Sequence, residues 1–186
     1  QGKTVADRIE GRLSYDQSKG SETGEKIFQT NLYHYAGTGH LAIDYAKLMR
    51  VGYDGLINEA KDKLSKLSMR DPEYNDKRDF YEAMIIMHEA AKTYIERYAS
   101  LCEEKAKEEQ DEKRKEELLM MAENCHQIAG GTPQTFWQAM QLFNIATTLI
   151  QVESNGHSIS YGRMDQWLYP YYEKDIKNAV EFVKGL

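Results

Sequence analysis

Two glycine-bearing segments, far apart in the chain, contain the residues whose types could do chemistry. The first is the run Gly37-Thr38-Gly39-His40, and the second carries Glu153, His157, Ser158 and Arg163. An imidazole can donate and accept hydrogen bonds, and so can a serine hydroxyl. Proteins often present such groups on loops that a rigid scaffold holds in place. The pattern predicts binding of a hydroxyl or a carboxylate on a small polar ligand.

The same residues also have structural interpretations, which the sequence leaves open. His40 could satisfy a buried carbonyl, and Ser158 could cap a turn. We expect Arg163 and Asp165 to form structural bridges to helix ends, because a buried arginine must be paired. His34, in the first segment, is a further polar candidate.

Several large enzyme classes leave no signature here. The chain has no Gly-rich phosphate loop, no His-Glu-x-x-His pattern, no Cys-x-x-Cys pair and no nucleophile elbow, and we expect no metal site. Cys102 and Cys125 lie in helical apolar patterns, which predicts small core residues in a reducing compartment. His88 and His126 also lie in helical patterns and are predicted to be structural.

Composition and charge indicate a globular protein without nucleic-acid or membrane partners. The 24 basic residues are interleaved with 30 acidic ones, so no basic surface for nucleic acid stands out. No apolar run reaches the roughly 18 residues of a membrane span, and no leader is evident. We therefore expect a cytoplasmic protein. Gln1 and Leu186 do not resemble natural termini, so we expect a fragment of a longer chain.

The first half of the chain predicts helices after a loosely ordered lead-in, residues 1–30, with weak helical tendency from Thr4 to Leu13. A helix from Asp44 is interrupted at Gly52, and another runs from about Tyr53 to Leu67. The strongest helical period covers residues 77–107. Its predicted apolar stripe comprises Phe80, Met84, Met87, Ala91, Tyr94, Ile95, Tyr98, Leu101 and Cys102. The alternating charges from Glu103 to Glu117 favour an exposed helical face or a turn.

The second half predicts three more helices and at most one short strand. One helix ends at Gly130-Gly131, and Thr132 with Pro133 is typical of the start of the next, which should be buried. Pro170 is predicted to open the last helix, with Ile176, Ala179, Val180 and Val183 inward. Alternation favours a short strand between Ser158 and Tyr161. The fold class is mainly α, a single partial domain over residues 1–186.

Read together, the two glycine-bearing segments resemble the glycyl radical enzymes of the pyruvate formate-lyase-like superfamily. The second segment, Glu153 to Ser160 with Arg163, Asp165-Gln166 and Tyr169 to Tyr172, closely resembles one block of that family. A second block is matched by Gly39-His40, Asp44-Tyr45, Leu48-x-Arg50-Val51-Gly52 and Ile57 to Lys61. The resemblance spans roughly residues 30 to 175. It is closest to the glycerol and diol dehydratases, with choline trimethylamine-lyase and hydroxyproline dehydratase nearby.

This resemblance implies a fold and a substrate. The chain would be the helical N-terminal portion of a ten-stranded α/β barrel, and the complete enzyme would be a dehydratase or lyase. It would eliminate water or an amine from a small hydroxylated substrate such as glycerol or a diol. His40, His157 and Ser158 fall on positions that bind substrate hydroxyls in the glycerol-dehydratase branch. Tyr161-Gly162 and Thr38 depart from that branch, so the resemblance leaves the substrate open.

The catalytic loops of the family are missing from this sequence. The radical cysteine with its glutamate, and the radical glycine in its Arg-Val-Ala-Gly-Tyr-like loop, are absent, so the chain alone is expected to be inactive. The resemblance implies a glycyl radical in the full-length enzyme, installed by an iron-sulfur S-adenosylmethionine activating enzyme. It also implies anaerobic metabolism and a homodimer.

Two other functions remain open at this stage. The parent could be a formate acetyltransferase (pyruvate formate-lyase), although a keto acid would more naturally call for arginines than for hydroxyl-binding residues. Alternatively, the chain could be a stand-alone helical binding module without catalysis.

Overall fold

Five helices and one short strand pair form the part of the chain that the structure describes. The computed structural model describes residues 40–154 and 158–184. The elements are, in chain order, β1 (Leu41–Ala42), α1 (Tyr45–Ser65), α2 (Tyr74–Glu108), α3 (Glu112–Gly130), α4 (Phe136–Ser154), β2 (Ile159–Ser160) and α5 (Met164–Lys184). The mainly helical prediction is confirmed, as is the short strand after Ser158. Among the described residues, no helix is long and apolar enough to cross a membrane.

Some sequence predictions fall outside the described residues. These are the lead-in of residues 1–30 with its weak helix from Thr4 to Leu13, the polar candidate His34, the glycines at 37 and 39, and His157. They stay predictions.

Helix α1 is divided by a sharp kink at Gly52. Its start is capped by Asp44, whose carboxylate accepts the Lys47 N–H at 2.9 Å. Gly52 has φ 63° and ψ −179°, a conformation that is essentially restricted to glycine. A Cβ there would lie 2.5 Å from the Gly130 carbonyl oxygen and 2.6 Å from that of Gly131. The predicted break is therefore confirmed, and it coincides with a close helix contact.

Helices α2 and α3 form a long antiparallel hairpin that packs through small side chains. The turn between them, residues 109–111, lies within the predicted charged run, and Asp111 caps α3 by accepting the N–H groups of Lys113 and Arg114. The buried residues of α2 are Ala91, Ile95, Ala99, Cys102 and Ala106.

The predicted apolar stripe of α2 is wrong for about half of its members. Phe80, Met87, Tyr98 and Leu101 are exposed, Phe80 by 61%. The predicted stripe is wider than the surface of α2 that α1 and α3 cover. The residues of α2 that pack most closely are mainly alanines, which contribute little to a hydrophobicity pattern.

The start of α4 was predicted at Thr132 and Pro133, and this is wrong by several residues. The helix begins at Phe136, because the Thr135 hydroxyl accepts the Gln138 N–H at 3.2 Å. The Asp175 carboxylate of α5 accepts the Phe136 N–H at 2.8 Å. This second cap comes from 39 residues away, so local sequence could not reveal it.

The predicted start of α5 at Pro170 is also wrong. Gly162, at φ 65°, turns the chain after β2, and the helix begins at Met164 with Pro170 inside it on the exposed side. On that side, the carbonyl that loses its N–H partner can bond to water. Ile176 and Val180 were expected inward but are exposed, because α5 contacts the core through residues nearer its start, Trp167, Leu168 and Tyr171.

The main core lies where α1, α2, α3 and α4 meet. Its largest fully buried side chains are Tyr45, Ile95, Ile128 and Leu142, one from each of those helices. Leu168 of α5 closes one side. The strand pair lies at the edge of this core, directly before α1 and directly before the turn into α5.

Candidate functional site

A short parallel strand pair brings the two predicted binding segments together. In the ladder, Leu41 lies opposite Ile159 and Ala42 opposite Ser160. The Leu41 N–H also donates to the Ser158 carbonyl at 3.1 Å. His40 and Ser158 are the residues immediately before the paired ones, so segments more than 100 residues apart in sequence become neighbours.

The strand geometry indicates where the two side chains point. Side chains alternate across a strand, and directly opposed residues lie on the same side of the sheet. His40 and Ser158 directly precede the paired residues, so continuing the ladder by one residue predicts that their side chains lie on one side of the sheet, opposite to Leu41 and Ile159. Both residues are exposed. Two of the three predicted binding residues are thus brought together, whereas His157 lies outside the described residues.

Four aromatic side chains hold the strand pair against the core, and we call them the aromatic corner: Tyr45, Phe143, Tyr161 and Trp167. Tyr45 stacks on Trp167 at a centroid distance of 5.4 Å and meets Phe143 edge to face at 5.0 Å. Phe143 meets Tyr161 edge to face at 5.0 Å. Such pairs stabilise beyond the apolar area they bury. The aromatic corner therefore fixes β1 through α1, and β2 through the turn that follows it.

Hydrogen bonds give the aromatic corner a defined geometry. The Tyr45 hydroxyl lies 2.7 Å from Thr147 Oγ1, and the Thr147 hydroxyl donates to the Phe143 carbonyl at 2.8 Å. Since Thr147 has only one hydroxyl proton, Tyr45 is the donor. Burial raises the pKa of Tyr45, which keeps that proton in place. Trp167 Nε1 donates to the Tyr161 carbonyl at 3.3 Å.

The sequence contained little sign of this support. Tyr45 and Phe143 each fit the apolar face of a predicted helix, whereas Trp167 precedes the predicted start of the last helix at Pro170. Nothing in their spacing shows that they meet. Thr147 belonged to a predicted buried helix, where its hydroxyl had no obvious partner. A polar residue on a strongly apolar face was the available signal, since a buried hydroxyl needs a hydrogen bond.

A shallow cleft beside the aromatic corner contains Arg163, one member of the predicted Arg163–Asp165 pair. It is lined by Asp44, Tyr161, Arg163 and Gln166 among others. Arg163 donates to both carboxylate oxygens of Asp165, at 2.9 and 2.6 Å, and these bonds lower the pKa of Asp165. Arg163 is exposed and its partner lies in the first turn of α5. The structure thus gives it a local helix-end partner, although the expected burial is wrong.

A larger groove of about 830 Å³ runs between α1, α2 and α4. Its lining is mainly apolar, with Leu48, Leu56, Ala91 and Leu149 among its residues. Leu41 of β1 is part of the lining, whereas His40 and Ser158 are not.

The two cysteines are small buried residues, as predicted. Both are free thiols, and burial raises the pKa of each. Gln141 Nε2 lies 2.9 Å from the Cys125 sulfur and 3.2 Å from the Met121 carbonyl. Within residues 40–154 and 158–184, no group of three or more His, Cys, Asp or Glu residues could hold a metal ion.

The histidines that were predicted to be structural do form structural contacts. His88 Nδ1 lies 2.6 Å from the Met84 carbonyl, one helical turn earlier. His126 of α3 bridges two carboxylates of α2, with 2.8 Å to Glu96 and 3.1 Å to Glu103. These bonds raise the pKa of His126, and the bond with Glu103 has the larger effect.

Comparison with known proteins gives a consistent set of relatives. The family described as pyruvate formate lyase-like matches residues 1–181. (2S)-3-Sulfopropanediol dehydratase from Klebsiella oxytoca is 72% identical over 178 residues, which are 96% of this chain and 22% of that protein. Probable dehydratase YbiW from Escherichia coli is 42% identical over 177 residues, 95% of this chain and 22% of that protein.

A solved structure agrees with these relatives. The glycerol-bound form of the B12-independent glycerol dehydratase from Clostridium butyricum matches with a TM-score of 0.72 and 47% identity. The match covers 76% of this chain and 18% of that one. The chain therefore spans about a fifth of the length of the relatives it matches.

Proposed function

Because this chain belongs to the pyruvate formate lyase-like family, with glycyl radical dehydratases among its relatives, we propose that it is the helical part of a dehydratase that removes water from a small diol. The observation that carries the proposal is the strand pair, which sets His40 beside Ser158. The names of two relatives refer to a sulfopropanediol and to bound glycerol, both compounds with more than one hydroxyl. We propose a substrate of that class, with (2S)-3-sulfopropanediol as the first candidate.

The proposed roles of the residues follow from their hydrogen-bonding groups. His40 and Ser158 would each bond to a substrate hydroxyl, with His157 as a third partner by resemblance. Loss of water requires a proton to reach the departing hydroxyl, and an imidazole is well suited to hold or pass that proton. Fixing two hydroxyls at once would also orient the carbon that reacts.

The radical chemistry does not fit any residue of this chain. A hydrogen-abstracting cysteine must reach the substrate, but Cys102 and Cys125 are both buried in helices. In the intact enzyme, a cysteine that this chain lacks would abstract the hydrogen, and the radical would be stored on a glycine, where an iron-sulfur S-adenosylmethionine activating enzyme would install it. This chain would contribute one wall of the substrate site.

The proposal is tested with the full-length polypeptide, activated without oxygen by its activating enzyme. We expect dehydration of (2S)-3-sulfopropanediol or glycerol to an aldehyde, followed by a colorimetric carbonyl assay. Parallel reactions contain choline, with release of trimethylamine as the readout, or pyruvate with coenzyme A, with release of formate as the readout, because pyruvate itself reacts in a carbonyl assay. Turnover only in the pyruvate reaction would indicate a formate acetyltransferase, turnover only with choline would indicate an amine lyase, and either result would contradict the proposal.

We further propose that residues 1–186 alone catalyse nothing, because the residues that would carry the radical are absent from the sequence. The purified chain, treated with the same activating enzyme and diols, should form no carbonyl product. Substrate-dependent product formation by this chain would refute that statement. The full-length enzyme in the same assay is the positive control.

A further inference from the structure

The first segment of α1, residues 45–51, follows β1 closely and is fixed by contacts from two other helices. The Tyr45 hydroxyl donates to Thr147 of α4 at 2.7 Å. The Tyr45 ring stacks on Trp167 of α5 at 5.4 Å. Tyr45 is only 1% exposed, so these contacts define its position closely. Whatever moves Tyr45 must also move β1, which ends three residues before it.

A second tyrosine holds the other end of the same segment. The kink at Gly52 interrupts the helical hydrogen-bond ladder, so carbonyls just before it need partners from elsewhere. The Tyr171 hydroxyl of α5 donates to the Met49 carbonyl at 3.1 Å. Burial raises the pKa of Tyr171, so its proton is retained at neutral pH. The segment is therefore tied to its neighbours at Tyr45 and again at Met49.

We infer that Tyr45 and Tyr171 are positioning residues, whose hydroxyls hold the first segment of α1, and with it His40, in register with Ser158. The inference rests on the proposed function for its effect on substrate, but its structural part stands separately. Neither hydroxyl needs to touch the substrate. Releasing either one would let β1 shift against β2, and a small misplacement of a hydroxyl-binding group weakens both binding and orientation.

The kinetic test compares Tyr45→Phe and Tyr171→Phe with Tyr94→Phe in the full-length enzyme. Tyr94 is a matched control, because its hydroxyl donates to the Tyr98 hydroxyl at 3.2 Å, a bond that joins two residues of α2 rather than tying α1 to a neighbouring helix. We expect the KM for the diol to rise about tenfold in the first two variants, because each loses about one hydrogen bond that holds the segment in place. In the control, KM should change less than twofold.

A merely structural role for these tyrosines predicts a different pattern. It would reduce the fraction of active enzyme and lower apparent kcat, while leaving KM unchanged in all three variants. That pattern would overturn the inference while leaving the proposed diol dehydration intact. Conversely, a wild-type enzyme that turns over no diol would refute the proposed function. It would not refute the positioning role of the two tyrosines, because amide hydrogen exchange tests that role without substrate.

Amide hydrogen exchange of the full-length protein tests the structural part directly. The Leu41 N–H, bonded to the Ser158 carbonyl, reports on the register of the two strands. Tyr45→Phe and Tyr171→Phe should speed its exchange by about tenfold, as expected when one supporting hydrogen bond is lost. Tyr94→Phe should leave it unchanged. Equal exchange in all three variants would overturn the inference, whatever the enzyme turns over.

Discussion

The aromatic corner and the α2–α3 hairpin are both built from helices, yet they are held together in opposite ways. In the hairpin, neighbouring helices pack through small residues such as Ala99, Cys102 and Ala122, and a short capped turn joins them. In the aromatic corner, large rings from α1, α4, the turn after β2 and α5 converge over more than 100 residues of sequence.

We expect this difference to separate residues that govern stability from residues that govern substrate binding. The hairpin buries Cys102 and Cys125, and neither His40 nor Ser158 belongs to it. The aromatic corner supports the only strand pair among the described residues, and that pair aligns the two predicted binding residues. We therefore expect changes in the hairpin to alter folding with little effect on KM, and changes around the strand pair to do the reverse.

The largest expected effect comes from Gly52, where the two regions meet. Gly52→Ala forces a side chain into a backbone conformation open only to glycine and against two carbonyl oxygens of residues 130 and 131. Strain and overlap together should cost about 3 to 5 kcal/mol of unfolding free energy. Urea unfolding of the chain measures this.

Gly162→Ala is the matched control for Gly52. Gly162 also has a positive φ, 65°, but a Cβ there would meet nothing within 4 Å. Only the conformational cost remains, about 1 kcal/mol. Equal losses at the two glycines would show that α1 and the end of α3 do not approach as closely as described.

The next largest effect concerns substrate binding. His40→Ala and Ser158→Ala in the full-length enzyme should each lower kcat/KM for the diol by about 100-fold, since each would remove a hydrogen bond that orients the substrate. Unfolding should change little, because both side chains are exposed. Steady-state kinetics and a thermal melt of the same preparations measure the two effects. Unchanged kinetics in both variants would remove them from the site.

Within the hairpin, adjacent leucines provide a matched pair. Leu118 is 6% exposed and packs with Cys102, Ala106 and Ala122, whereas Leu119 is 48% exposed. Leu118→Ala should cost about 2 to 3 kcal/mol and Leu119→Ala less than about 0.5 kcal/mol. Both should leave KM for the diol within twofold. A change in KM for Leu118→Ala would contradict the separation of the two regions.

The smallest expected effect is the pH dependence of the His126 bridge. The bonds to Glu103 and Glu96 raise the pKa of His126 in the folded chain. Its stabilisation is therefore complete below the unfolded value of about 6.5 and is lost as pH rises through the higher folded value. Since the side chains are nearly half exposed, the contribution should be about 1 kcal/mol or less.

Urea unfolding of wild type and His126→Gln, at several pH values from 6 to 9, measures this contribution. The difference between the two proteins should be largest at pH 6 and should shrink toward pH 9. A difference that grows with pH would mean that the bridge does not stabilise the protonated histidine.

The hairpin could be predicted from sequence far better than the aromatic corner, and the reason is the range of the contacts. Local periodicity predicted α2 and the core-facing residues of α3. The charge run from Glu103 to Glu117, predicted to be an exposed helical face or a turn, contains the turn between them. The break at Gly52 was also predictable, because a glycine destabilises a helix at any interior position. The exposure of Phe80 was missed, since periodicity gives the direction of a face but not the width of its partner.

The candidate site was only half predictable. Residue types singled out His40 and Ser158, and the resemblance to a family assigned them a common role. Nothing in the sequence showed that β1 would pair with β2, since two-residue strands have almost no pattern of their own. The cap that Asp175 gives to α4, and the support from Tyr45 and Tyr171, depend on contacts between distant segments.

A crystal structure of the full-length enzyme with glycerol bound tests the central claim most directly. We expect glycerol beside the strand pair, with hydroxyl oxygens within about 3.2 Å of polar atoms of both His40 and Ser158. Glycerol bound in the substrate site with neither side chain in reach would contradict it.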